Sequence, residues 1–175
     1  MTRIPLLDVD TTEGPVKTAL EGVARKRGYV PTPLQVMAHS PATLQGYLGF
    51  ATALAGGTLD VATRERIAIA VAHANDCQPC LFAHTNIGRA AGLSQAELDA
   101  ARDFSSADPA ARAALVLARE VMATRGHVSD RHLGDAREAG LSDGAVVEIT
   151  AHVVINLLTN LVNSIAKVPP PATKS

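Results

Sequence analysis

Two thiols and two proton carriers stand close together in this chain. Cys77-Gln78-Pro79-Cys80 holds the only two cysteines among 175 residues; His84 follows four positions after the second thiol, and Glu65 precedes the first by twelve. Thiols separated by two residues can close a disulfide with little backbone movement, so the pair is a candidate redox device. The thiolate is the attacking species, and a free thiol with a pKa near about 8.5 is mostly protonated at neutral pH. Something must acidify it. A helix beginning at Asp76 or Cys77 supplies unpaired N–H groups and a partial positive charge, and capping favours Cys77 for the lower pKa. His84 lies one turn beyond Cys80 on the same face, which places a base beside Cys80 instead. The residues alone leave open which sulfur attacks.

Glu65 and His73, eight residues apart, share one face of the preceding helix, His73 near its end and near the dithiol. A carboxylate beside an imidazole fixes its orientation and raises its basicity, so Glu65 could serve His84 directly or through water. Taken by itself, Glu65 reads as an exposed partner of Arg64 or Arg66, and His73 as a satisfied core histidine. Cys77, Cys80, His84 and His73 also count to four zinc ligands. Structural zinc typically holds together small loop-rich modules, and this chain is too helical to need it, so no metal is expected. His39, His127 and His132 have turn or surface contexts.

The elements that must position these groups are helical. Ala, Leu and Val dominate, only 3% of residues are aromatic, and there is no Trp, a composition rich in helix formers and poor in strand signals. Residues 1–12 read as extended and 13–27 as a first helix ending at Gly28. A turn at Tyr29-Val30-Pro31-Thr32-Pro33 precedes a short helix over 34–39. Ser40-Pro41 opens a helix that runs to Gly56-Gly57, and another starts near Asp60 or Thr63 and is interrupted at Asn75-Asp76. Pro79 is tolerated only in a first turn, so the next helix starts at Asp76 or Cys77 and runs to Ala91-Gly92. Ser94 with Glu97 matches a capping box. Further helices follow over about 109–125, from Ser129-Asp130 to Gly140, and over about 144–167, where Pro169-Pro170-Pro171 end the run. Ala-Gly-Leu-Ser at 91–94 and again at 139–142 marks two similar turns. The expectation is an all-α fold of eight or nine helices in a single domain spanning 1–175, with the motif core at about 60–95.

Composition limits the partners. With 47% hydrophobic and 19% charged residues the chain can build a substantial core. Net charge is −1 and the basic residues are spread evenly, so nucleic acid is not an expected partner. The first eight residues lack an apolar stretch long enough for a signal peptide, and the greasy segment near the end is broken by Glu148, His152, Asn156 and Asn160. No membrane association is expected, and the protein is expected to be cytoplasmic, where a cysteine pair is more often catalytic, redox-sensing or metal-bound than a staple. Glu148, His152, Asn156 and Asn160 recur every four residues with Asn163 next in line, a polar ridge. Such a ridge can be a second site but more often is buried hydrogen bonding to a neighbouring helix or another subunit, with an oligomer interface the preferred reading.

Arg64-Glu65, then Cys77-x-x-Cys80-x-x-x-His84, then Gly92-Leu93-Ser94 resembles the alkylhydroperoxidase D-like, peroxidase-related branch of the carboxymuconolactone decarboxylase superfamily. The Ser-Pro before the third helix and a last helix carrying Asn156, Thr159-Asn160 and Asn163 extend the resemblance from about residue 30 onward. It implies an all-helical homo-oligomer, often a trimer or hexamer, that reduces peroxides. Cys80 would be the peroxidatic thiol, Cys77 the resolving thiol, and Glu65 with His84 the proton relay. No bound cofactor is implied, and the electrons would come from an external dithiol, a thioredoxin-like protein or a dihydrolipoyl group. Pro79 departs from the family, which often carries histidine, tyrosine or serine before the second cysteine, so that neighbour has no relay role here. Cys-Gln-Pro-Cys also resembles the Cys-x-Pro-Cys of thioredoxin-like oxidoreductases, in which the first cysteine is the nucleophile. The alternatives are a redox-sensing or disulfide-exchange protein without peroxide turnover, and a lactone decarboxylase, which normally lacks the dithiol.

Overall fold

The computed structural model describes residues 2–170; Pro171, expected to help end the last helix, lies outside them. Among the described residues there are nine α-helices and no strand. They are α1 Gly14–Arg27, α2 Thr32–Met37, α3 Pro41–Ala55, α4 Val61–Ala74, α5 Gln78–Ala90, α6 Gln95–Arg102, α7 Pro109–Thr124, α8 Asp130–Glu138 and α9 Asp143–Ala166.

Short polar side chains set most of the starts. Ser40, Asp60, Ser94, Asp108, Ser129 and Ser142 each accept a hydrogen bond from a backbone N–H in the first turn of α3, α4, α6, α7, α8 and α9. The two Ala-Gly-Leu-Ser turns share one geometry. Gly92 and Gly140 adopt φ of +91° and +92°, and the N–H of the following leucine closes onto Gly88 in one turn and Ala136 in the other. Helix α2 starts two residues earlier than expected because Pro33 falls in a first turn, where its missing N–H costs nothing. A single 3-10 turn at Val9–Thr11, capped by Asp8, occupies part of the segment expected to be extended.

Helix α4 is the central element. From Arg66 to Ala72 every side chain is buried, the pattern of a helix covered on all sides. Ile67 and Val71 pack with Leu115, Ala118, Ile149 and Val153 of α7 and α9. Ile69 and Ala72 pack with Leu81, Leu93, Leu98 and both cysteines. The dithiol is thus set against the most buried helix of the fold. Gly88 of α5 permits close approach on this side, since a Cβ there would lie 3.0 Å from Leu98 Cδ2 and 3.1 Å from Leu93 Cδ1.

Glu97 behaves differently from the capping-box expectation. Ser94 Oγ does accept from the Glu97 N–H, but the Glu97 carboxylate turns inward. It accepts from Ser106 Oγ at 2.6 Å, Ala107 N at 2.8 Å and Arg66 Nε at 2.8 Å. The Ser106 and Ala107 hydrogen bonds and the Arg66 charge outweigh burial and hold its pKa below the ordinary glutamate range. The Arg66 side chain is only 9% exposed, so Glu97→Gln leaves a buried guanidinium short of its counter-charge. It is expected to cost about 3 kcal/mol in chemical denaturation. In the parent protein the unfolded carboxyl takes its proton first, near about pH 4.3, while the folded one stays charged. Its contribution is therefore complete above that pH and is lost as pH falls towards the folded value. The Gln variant should lack that part of the acid destabilisation.

The last helix corrects one expectation. On length and composition α9 is apolar enough to cross a membrane, with 44% of its most apolar window buried inside the fold. Its polar ridge faces the interior of its own chain and not a subunit boundary. His152, Asn156, Asn160 and Asn163 are buried there; the Asn160 amide donates to the Val71 carbonyl of α4, and Asn163 reaches the cysteines. The exposed apolar residues of α9, Val147, Val154, Leu161 and Ile165, lie elsewhere on the helix. Alternation of polar and apolar residues located the ridge but could not tell a partner subunit from a neighbouring helix.

Candidate redox site

The corner between α4 and α5 delivers the dithiol. Asp76 takes a left-handed conformation, φ +52°, its N–H bonds to the His73 carbonyl, and the Cys77 N–H closes onto Ala72 at 2.9 Å. This is the two-bond termination usually built on glycine; aspartate is one of the few other residues that tolerates the conformation. The bond that ends α4 thus places Cys77 directly as the N-cap of α5, with Pro79 in the first turn and Cys80 at its third position. The two sulfurs are joined as a disulfide, with Cα atoms 5.3 Å apart. Both cysteines are buried, at 3% and 5% exposure.

The expected relay is brought together. His84 Nδ1 lies 2.8 Å from Glu65 Oε2, across from α5 to α4, with both side chains partly buried. Glu65 is therefore no surface partner of its neighbours; Arg66 pairs with Glu97 and Arg64 bonds the Leu54 carbonyl. His73 is brought elsewhere. It is exposed, with Nδ1 3.0 Å from the Arg102 carbonyl, which corrects the core-histidine expectation and removes the fourth member of the zinc set. Among the described residues no group of three or more His, Cys, Asp or Glu side chains is arranged to hold a metal.

Residues 41–120, which span Glu65, the dithiol and His84, match the model of the carboxymuconolactone decarboxylase family. The whole fold matches the crystal structure of an alkylhydroperoxidase AhpD core, an uncharacterised peroxidase-related protein from Ralstonia eutropha JMP134. Sequence identity is 25% and the TM-score 0.86, over 97% of this chain and 92% of that one. The family match over residues 41–120 and the likeness of the fold support the alkylhydroperoxidase D-like branch of the carboxymuconolactone decarboxylase superfamily. Two further structures share the fold. A peroxidase-related protein from Silicibacter sp. TM1040 has 22% identity and a TM-score of 0.81, over 98% of this chain and 96% of that one. The debrominase Bmp8 in complex with 2,3,4-tribromopyrrole has 20% identity and a TM-score of 0.80, over 98% of this chain and 93% of its own. A comparison with curated proteins finds no match.

Around these residues the structure adds Tyr47, which sequence reading had not singled out, and brings in three members of the polar ridge, Glu148, His152 and Asn163. Tyr47 of α3 has its pKa raised, chiefly by burial; the Arg27 charge opposes this and the Glu65 carboxylate adds to it. His152 of α9 has its pKa lowered by burial and by Arg64, against the pull of Glu148 and Glu65. The charge of Glu65 is thus felt on α3 and α9. Glu148 is itself pinned, accepting from the Thr58 and Leu59 N–H groups, and these bonds hold its pKa down. Tyr47 carries no motif or spacing that could have marked it. The third ridge member is Asn163, whose amide Nδ2 lies 3.2 Å from Cys80 Sγ and 3.7 Å from Cys77 Sγ. An open pocket of about 170 Å³ adjoins the dithiol on the Cys77 side, lined by Asp76, Cys77, Gln78, Pro79, Asn163 and Lys167 among others.

Proposed function

We propose that the protein is a thiol-dependent peroxidase acting on alkyl hydroperoxides or hydrogen peroxide, with Cys80 as the attacking thiol, Cys77 as the resolving thiol and Glu65–His84 as the proton relay. The observation that carries this reading is the 2.8 Å contact between His84 Nδ1 and Glu65 Oε2 one helical turn from Cys80. A carboxylate on Nδ1 holds that proton, which leaves Nε2 as the basic nitrogen of the neutral ring. Without such a base, a dithiol in an apolar cluster stays protonated and inert.

In the first step His84 takes the Cys80 proton, the thiolate attacks the distal peroxide oxygen, and the O–O bond breaks. The alkoxide leaves as an alcohol, or as water from hydrogen peroxide, on taking a proton from the imidazolium, and Cys80 becomes a sulfenic acid. The Cys77 thiol then condenses with it, expelling water and forming the disulfide. An external dithiol attacks the disulfide, leaving both cysteines reduced and itself oxidised. Cys77 borders the pocket, which supports it as the sulfur that the reductant reaches.

The test is peroxide consumption by reduced protein with excess dithiothreitol or dihydrolipoamide, followed over many turnovers. Sustained consumption proportional to enzyme supports the reading. Oxidation of one equivalent followed by arrest makes the protein a redox sensor or disulfide-exchange partner, and no oxidation by any hydroperoxide sinks the peroxidase assignment.

A further inference from the structure

Asn163 is buried to 3% exposure, and its Nδ2 reaches the two sulfurs unequally, at 3.2 Å for Cys80 and 3.7 Å for Cys77. The amide orientation follows from chemistry, because turning Oδ1 towards the disulfide would set oxygen lone pairs against sulfur lone pairs. The other end of the amide is what marks the residue. Oδ1 is buried with no hydrogen-bond partner among the described residues, whereas buried polar side chains are ordinarily satisfied. An asparagine retained to tie helices together would use its carbonyl as well. This one makes contact only through the donor aimed at sulfur.

We infer that Asn163 is a thiolate-stabilising residue that selects Cys80 over Cys77 as the more acidic thiol. A neutral disulfide sulfur is a weak acceptor and gains little from an N–H donor, but a thiolate gains much more, since hydrogen bonds to ionised groups are roughly twice as strong as neutral ones. When an external thiolate attacks Cys77, Cys80 leaves as the anion, and the same donor stabilises the leaving group. The N-terminus of α5 acts on both cysteines and slightly favours the N-cap, Cys77; the amide breaks that tie in the other direction. Of the charged groups nearby, Asp76 and Lys167 share the pocket with Cys77 and oppose one another, and Glu65 is engaged by His84, so the amide acts on Cys80 alongside the His84 base. The assignment of roles rests on the dithiol being the redox centre, but the inference about acidity does not require peroxide turnover.

The experiment measures thiol acidity directly. Cys77→Ser and Cys80→Ser each leave one thiol, and the pH dependence of its alkylation by iodoacetamide is followed by mass spectrometry, with and without Asn163→Leu. Loss of the donor is expected to raise the midpoint of Cys80 by about one to two pH units, roughly ten- to a hundredfold in thiolate-to-thiol ratio. The midpoint of Cys77 should move distinctly less. Equal shifts at the two sulfurs would mean a general disturbance of packing and overturn the inference, as would no shift at Cys80 or a larger one at Cys77. Should Asn163→Leu not fold, judged by circular dichroism, Asn163→Ala removes the same donor without added bulk and is read by the same criteria. A selective shift in a protein that consumes no peroxide would uphold this inference while sinking the peroxidase reading.

Discussion

Cys80→Ser is expected to abolish peroxide turnover, a loss of at least on the order of 10³-fold, because serine at neutral pH offers neither an anion nor a sulfur to oxidise. Cys77→Ser is expected to abolish steady-state turnover by a different route. Cys80 can still attack, so one equivalent of peroxide is consumed and the sulfenic acid persists, with nothing within the chain to condense with it. The two variants are therefore alike in multiple-turnover assays and unlike in a single turnover. Dimedone trapping read by mass spectrometry separates them: an adduct on Cys80 in Cys77→Ser, and no adduct anywhere in Cys80→Ser, is the expected pattern. An adduct confined to Cys77 would reverse the roles and restore the order that capping alone predicts. Neither substitution should change the fold, since each cysteine is a small member of an apolar cluster shared with Leu81, Leu93 and Leu98.

The helical plan was legible because this chain announces its boundaries chemically. Ser40, Ser94 and Ser129 stand where helix starts were expected, and Gly28, Gly92 and Gly140 adopt the positive φ that ends helices. The corner at Asp76 shows the limit of that grammar. A proline in a first turn required a helix start there, but only the structure shows that one hydrogen bond, Cys77 N–H to Ala72, both finishes α4 and seats the N-cap of α5. Local spacing likewise placed His84 beside Cys80 on one helix. Whether Glu65 reached it depended on how α4 crosses α5, which no intrahelical period encodes. His73 illustrates the reverse: a histidine on an apolar stretch at the end of a buried helix has already turned to the surface by its last turn. Asn163 was visible as a member of the ridge. Its task was hidden because the ridge faces helices distant in sequence and not the subunit boundary its apolar neighbours suggested.

Glu65 and His84 carry the second large expected effect, and it can be separated from stability. A positioned base contributes about 10²- to 10⁴-fold, so His84→Asn is expected to lower kcat/KM for peroxide by about 10²-fold or more. Glu65→Gln is expected to lose less, about tenfold to a hundredfold. The neutral amide can still meet Nδ1, but it supplies no charge to the imidazolium and can present its NH₂ end, which forces the proton onto Nε2 and spoils the base. Since Glu65 acts through the His84 ring, the double variant should be no slower than His84→Asn alone. Additive losses would mean that Glu65 acts separately, for example through Tyr47 or His152, whose protonation it influences. The pair is partly solvated, at 24% and 14% side-chain exposure, so its contribution to folding lies between that of a surface pair, about 1 kcal/mol or less, and that of a buried one, about 3 kcal/mol. A large fall in rate with a thermal midpoint shifted by only a few degrees would place the two residues in the proton path; comparable losses of both would make the contact a structural strut between α4 and α5.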